Sequence, residues 1–384
     1  MNIKRSIALL FIFSLVIFSR CKIPFAPEFV KDISNIIAIE GNISIGYWTK
    51  IYISTAIPLS SERKELIYLT DAYVSIEDNA GNRYGSVLRY DDSKNPYFEI
   101  DSRYISASNK YRLVVYYNNN EYATDFLPVM QSPQIKDITF SVEPDRKAVY
   151  FYVSAEGAED QSRYYKWHYE EDWEFTATYK ANAEYDIESE EIIDLNDYNH
   201  KYYCWNKGVS SDIIIATSKD LSRNVIHEHK INTILKNDMR ISRLYRIRLY
   251  QMAISEAEYR YLYNVRKNSE EVGGIFGPQP SEMSGNIKCI NDSNIEVLGY
   301  ISCSTVSIMT KYFTSNEIGI YENIMVCSSI KNFENYSDAS MVFAGYQIYI
   351  AYPDEPIRWT ENRCVDCRVY GTKNKPAFWP TLSE

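Results

Sequence analysis

The chain has 384 residues, 45% hydrophobic and 15% aromatic, with 41 basic against 51 acidic side chains and a formal net charge of −10 at pH 7. That length and apolar content support about two packed domains. The acidic balance excludes the basic surface that binding to nucleic acid or to anionic lipid demands. Tyrosine is over-used, with 35 residues beside 15 Phe and 6 Trp. Half-buried strands and binding surfaces both favour it, and so does an AT-rich coding sequence that also raises Ile, Asn and Lys.

The N-terminus reads Met1-Asn-Ile-Lys4-Arg5, then runs apolar from Ile7 to Phe18 with Ser14 the one interruption, and reaches Ser19-Arg20-Cys21. This is the layout of a secretory signal. The apolar run is shorter than the about 20 residues a membrane-spanning helix needs, and Pro24 and Pro27 block helical continuation. Residues 1–20 are therefore read as a signal peptide and Cys21 as the lipidated first residue of the mature chain, where several acyl chains give an anchoring that one does not. Arg20 departs from the small residue usual before a lipidated cysteine. Cleavage there removes three cations and no acid, leaving a net charge of −13.

From Ile36 to Val153 apolar residues recur with period two and turn signals interrupt them, as in Ala72, Val74 and Ile76 before Asn79-Ala-Gly-Asn82, and Tyr111, Leu113, Val115 and Tyr117 before Asn118-Asn-Asn120. This spacing predicts a β-sandwich. Pro128 and Pro133 mark a boundary, giving a sandwich domain over 21–130 and a larger β-rich domain over 131–384. In the second domain Tyr245, Ile247 and Leu249 alternate with Arg246 and Arg248, the pattern of a strand with one wet face. One helix is expected near 256–270. Ser255-Glu-Ala-Glu258 is a capping box, Tyr259, Leu262, Tyr263 and Val265 follow at helical spacing, and Gly273-Gly274 supplies a stop. The aromatic stripe is expected to pack on a sheet. Lys375-Pro-Ala-Phe-Trp-Pro380 is too apolar for a free tail and is expected to dock on the body.

Apart from Cys21, the cysteines are Cys204, Cys289, Cys303, Cys327, Cys364 and Cys367. In an exported chain this even set reads as disulfide candidates, with 15 full pairings open. Cys364-Val-Asp-Cys367 also reads as half a zinc site, but a nearby second pair is missing. His227-Glu-His229 would place two imidazoles on one face of a strand, a metal-binding geometry lacking a third ligand. Glu170-Glu-Asp172 and Glu188-Ser-Glu-Glu191 contain carboxylates enough for a hydrolytic pair, though such clusters are more often solvated loops. No Gly-x-Ser-x-Gly elbow, His-Glu-x-x-His helix or P-loop occurs. No cofactor is implied. Trp48, Trp167, Trp173 and Trp205 are the aromatic candidates for a contact surface, against burial in the core.

Several short segments share an order. They are Cys21 with Pro24 and Pro27, Ile39-Glu-Gly-Asn-Ile43, Val74-Ser-Ile-Glu-Asp-Asn-Ala-Gly81, Tyr203-Cys-Trp205, Tyr250-Gln251 with Ser255-Glu-Ala-Glu-Tyr259, Asn268-Ser-Glu270, Gly274-Ile-Phe276, Pro278-Gln-Pro280, Gly285-Asn-Ile287, Val297-Leu-Gly-Tyr300, Cys364-Val-Asp-Cys367 and Lys375-Pro-Ala-Phe-Trp379. In that order they resemble the Bacteroidota lipoprotein family catalogued as domain of unknown function 4249. The resemblance covers nearly the whole mature chain. It implies a lipid-anchored protein of the outer membrane that accompanies a TonB-dependent receptor. No acidic run follows Cys21, so which leaflet the protein faces stays open.

The expected fold is mainly β, with an N-terminal immunoglobulin-like or carboxypeptidase-regulatory-like sandwich and a larger β-rich domain carrying one prominent helix. The expected function is a non-catalytic binding or lid subunit that helps the receptor capture a glycan or peptide. The competing readings are an envelope hydrolase or metal-dependent enzyme, and a structural brace in an envelope assembly.

Overall fold

A computed structural model describes residues 36–57, 66–196, 199–271, 285–331 and 337–381. The signal segment, Cys21 and the Gly273-Gly274 stop lie outside the described residues. The protein is mainly β. The first half supplies β1 (Ile37–Ile45), β2 (Trp48–Thr55), β3 (Tyr73–Asp78), β4 (Arg83–Gly85), β5 (Val87–Tyr90), β6 (Pro96–Asp101), β7 (Lys110–Tyr117), β8 (Asn120–Thr124), β9 (Leu127–Pro128), β10 (Ile135–Val142), β11 (Ala148–Glu156) and β12 (Tyr164–Thr176). The second supplies β13 (Ala183–Asp186), β14 (Glu191–Asp194), β15 (Tyr203–Val209), β16 (Ile214–Thr217), β17 (Val225–Leu235), β18 (Leu244–Ile254), helix α1 (Glu256–Glu271), β19 (Ile287–Cys289), β20 (Val297–Leu298), β21 (Ile301–Thr314), β22 (Tyr346–Ile350) and β23 (Arg358–Glu361).

One ten-stranded sheet organises these strands in the order β15-β12-β18-β21-β1-β2-β6-β5, with β16 beside β12 and β20 beside β1. Two smaller sheets cover it. The six-stranded sheet β19-β8-β7-β3-β4, with β9 beside β7, encloses a core that includes Ile39, Ile43, Val74, Ile76, Leu113 and Val115. The three-stranded sheet β10-β11-β17 encloses a second core that includes Phe151, Trp167, Tyr245, Ile247 and Phe313. Along β21, Cys303 enters the first core and Phe313 the second. Their even spacing puts both cores on the same face of the long sheet.

The 130/131 boundary is crossed by this sheet. β21 pairs antiparallel with β18 and parallel with β1, while β19 pairs with β8. Residues 287–303 therefore complete the N-terminal core. The Pro128–Pro133 connection is stitched down as well: the Met130 amide donates to the Cys303 carbonyl at 2.9 Å, and the Gln251 amide side chain donates to the Pro133 carbonyl at 2.8 Å.

The glycine motifs meet where β20 passes β1. A Cβ on Gly299, at φ 118°, would lie 1.9 Å from the Ile39 carbonyl oxygen, and one on Gly285 would lie 1.8 Å from that of Gly299. Only glycine allows three backbones so close. Asn286 then acts as a strand surrogate, exchanging hydrogen bonds with the backbone of Ile301 at 2.7 and 2.9 Å.

Of the six cysteines, Cys204 pairs with Cys367 and Cys327 with Cys364, with Cα atoms 5.7 and 6.0 Å apart. Cys289 and Cys303 are free and buried in the N-terminal core. The expectation of a fully paired set is thus corrected: these two thiols sit on strands as apolar packing. Burial pushes the Cys303 thiol up to about 12. Because Cys364 and Cys367 hold different partners, Cys364-Val-Asp-Cys367 is two anchor points for the C-terminal segment, neither a dithiol nor half a zinc site.

The Cys204–Cys367 bond closes a span of 163 positions. A C204S/C367S variant is expected to lose about 2–5 kcal/mol of unfolding free energy, read from denaturant titration under oxidising conditions. An unchanged midpoint would remove this bond from the stabilising set.

Candidate functional site

The face of the long sheet turned away from both cores is polar and aromatic. On β12 it carries Lys166, His168, Glu170, Asp172 and Glu174; on β18, Arg246, Arg248 and Tyr250; on β21, Ser302, Ile308, Thr310 and Tyr312. Strand alternation selects these residues, since their sequence neighbours point into the core.

Two elements lie on this face. At one end helix α1 is held by the Lys166–Glu258 ion pair, 2.6 Å, and by Tyr164 against Tyr259, with ring centroids 5.3 Å apart. At the other end lies the C-terminal segment. The Trp379 indole donates to Glu174 at 2.7 Å and the Phe378 ring sits 4.2 Å from the Arg246 guanidinium. The expected docking of this segment is met by Trp379, which is buried. Between Lys166 and Asp172, a strand length of about 20 Å at ~3.3 Å per residue, the two elements leave a shallow trough in which His168 is exposed and Tyr47, Glu170 and Arg248 are half-buried, while Tyr250, Arg246 and Asp172 are buried beneath their neighbours.

Its floor is tightly bonded. The Tyr250 hydroxyl donates to Glu170 at 2.8 Å and lies 3.4 Å from that of Tyr47, which the turn between β1 and β2 brings across. Arg248 reaches Tyr47 at 3.5 Å, and the His168 ring stacks on Tyr250 with centroids 4.5 Å apart. His168 is exposed on its outer side, with the Tyr250 ring and the neighbouring strands packed close beneath it. That crowding, then the charges of Lys166 and Lys50, lowers its pKa, so the ring is neutral at neutral pH. Burial likewise raises the Asp172 carboxyl, against the pull of its partner Arg246.

Helix α1 departs from its expected packing. The Ser255 hydroxyl accepts from the Glu258 amide at 3.1 Å, as a cap should, but the Glu258 carboxylate turns to Lys166. A carboxylate this buried needs a counter-charge more than the helix needs its second cap bond. Glu258 is the one fully buried side chain from Glu256 to Ser269, and Tyr263 remains 45% exposed. An ion pair and tyrosine contacts therefore seat the helix, in place of an apolar stripe.

The predicted chemistry disperses. Glu228 has φ 46° and shares with His227 the place opposite Ser154, between the pairs Ile226–Ala155 and His229–Val153. This bulge splits the two histidines, so the one-face geometry expected for metal does not form. His229 instead stacks on Trp167 at 5.3 Å. Among the described residues no group of three metal-ligating side chains occurs. Glu170 and Asp172 face the trough while Glu171 is buried on the other side, accepting from Tyr245 at 2.7 Å and Arg240 at 3.0 Å. Glu188-Ser-Glu190 lies in the exposed turn of the β13–β14 hairpin and Glu191 opens β14.

The four tryptophans do not make one platform. Trp167 is buried and bonded to Gln251, and Trp173 packs against core residues. Trp205 is half-buried, paired with Thr372 of the C-terminal segment, and Trp48 lies under the Arg103 guanidinium at 4.1 Å. Sequence reading missed the floor of Tyr47, His168, Arg248 and Tyr250. The available signal was the alternation of Arg246, Arg248 and Tyr250 along one predicted strand.

The profile of the family described as "Domain of unknown function (DUF4249)" matches residues 22–310. The chain belongs to this family. The match ends within β21, so the trough floor of this DUF4249 protein lies inside it, whereas the Cys364–Cys367 and Lys375–Trp379 motifs lie beyond it. No curated protein matches the chain. Among the described residues no helix is long and apolar enough to cross a membrane.

Two predictions follow from the charges. Lys166→Met strands the buried Glu258 carboxylate and is expected to cost about 3–5 kcal/mol, whereas K166M/E258L recovers most of it; chemical unfolding of both variants decides. Burial also lowers the pKa of His229, ahead of repulsion from Arg266. Bases held neutral in the native state take protons more readily unfolded, so stability should fall as pH drops below about 6.5. The H168Q/H229Q variant should show a flatter decline between about pH 7 and 5; an identical decline would assign the acid sensitivity to other groups.

Proposed function

We propose that this protein is a lipid-anchored outer-membrane subunit that binds substrate in the trough and serves a TonB-dependent receptor as a non-catalytic accessory. The observation that carries the reading is the trough itself: a row of hydroxyl, guanidinium, imidazole and carboxylate groups over three strands and the turn at Tyr47, bounded by α1 and the C-terminal segment. Its carboxylates are committed, Glu170 to Tyr250, Asp172 to Arg246, and Glu174 to Arg243 and Trp379. Such groups position rings and donors and are poorly placed for acid–base exchange. An extended, hydroxyl- or amide-rich oligomer, a glycan or a peptide, suits the floor's length and its mixture of flat rings and donors.

Export and anchoring rest on the apolar run ending at Cys21 and on two disulfides, which persist in oxidising compartments. Acyl labelling of the wild type and of Cys21→Ala tests the anchor: label on the wild type alone is expected. Thiol counting adds an independent readout. Unfolded, unreduced protein should expose Cys289 and Cys303 if Cys21 is acylated, and a third thiol if it is not.

Pull-down of tagged protein in detergent should bring a receptor with it. Tyr47→Ala with Arg248→Ala should keep that association and reduce uptake of one nutrient at least about tenfold, as loss of a few hydrogen-bonding contacts does. Repeated recovery of the chain alone, or uptake indifferent to the trough, would count against the proposal.

A further inference from the structure

The cysteine connectivity conflicts with the order in which the cysteines are made and exported. They emerge as Cys204, Cys289, Cys303, Cys327, Cys364 and Cys367, while the native bonds are nested, 204–367 around 327–364, and skip two thiols. Cys204 must stay unpaired until its partner, 163 positions later, arrives. Cys289 and Cys303 pass it first, and their protection exists only once β19 and β21 have joined the N-terminal core.

Chain statistics deepen the conflict. By the three-halves power of loop length, the native span of 163 positions closes roughly ninefold less often than that of 37, and Cys364 and Cys367, three positions apart, stay within reach of each other throughout. Yet in the folded protein these neighbours hold different partners.

We propose that the protein is a client of an envelope thiol–disulfide isomerase, with the Cys364–Cys367 disulfide as the species resolved. The isomerase thiolate attacks the Cys367 sulfur, forming a mixed disulfide and releasing Cys364 as a thiolate. The Cys204 thiolate then attacks the same Cys367 sulfur and expels the isomerase thiolate, so these two exchanges carry no net oxidation. Cys327 and Cys364 close the second bond by passing two electrons and two protons to a disulfide oxidant such as oxidised glutathione.

The test is oxidative refolding of the reduced full chain in glutathione buffer, quenched by alkylation at intervals and mapped by peptide mass, with and without a purified disulfide isomerase. Early accumulation of the Cys364–Cys367 pair is expected, together with native pairing accelerated at least about tenfold by the isomerase. The C289S/C303S variant, which removes the two competing thiols, should still pass through the Cys364–Cys367 species. If native bonds form first, or form at a rate the isomerase leaves unchanged, the proposal is overturned.

Discussion

The parallel pairing of β1 with β21 is the constraint on which the rest of the molecule depends. It joins residues 41–45 to residues 301–305, and through it two sandwiches become one sheet with two covers. Without it the N-terminal core would lack Ile301 and Cys303, and the sheet would end at β21. Such a non-local contact rewards the chain only after most of it has been made. The crowded glycines at 285 and 299 show how closely the returning backbone must approach, and Asn286 shows how the approach is held with few residues to spare.

A sheet covered on one face by two separate layers leaves its other face for a different use. Here that face holds the charged and hydroxyl-bearing side chains, and tyrosine suits it well. A phenol can lay its ring on a neighbour and still bond through its tip, as Tyr250 does with Glu170 while His168 stacks on the ring. Tyr245, one strand position from Arg246 but on the core side, does the same with Glu171 and Asn232. The tyrosine excess is thus used on both faces, wherever a strand needs bulk and a hydrogen bond together.

Much of this was legible in the residues. Alternation located β1, β7 and β18, and Ser255 located the start of α1 within a residue. What alternation could not show was partnership. Pro128 and Pro133 read as a boundary because prolines interrupt strands, whereas the structure bonds that connection to β18 and β21. His227 and His229 read as one face because period two was assumed, and a single left-handed residue, Glu228, broke it. The trough was hidden for a related reason: its floor draws on β12, β18, β21 and the turn at Tyr47, which no local pattern connects.

The cysteines join architecture to function. Cys204 lies on β15, at the edge of the long sheet, and Cys367 begins the stretch that leads through Thr372 to Phe378 and Trp379. The bond therefore fixes the root of the segment that closes one end of the trough, while the ion pair of Glu258 with Lys166 fixes the helix that closes the other. One wall is held by a covalent bond and the other by a buried charge pair. Neither needs the large apolar contact that a polar sheet face cannot offer. On a sheet face built from charged and hydroxyl-bearing side chains, little apolar area is available for docking, and both fastenings here draw on other bonds.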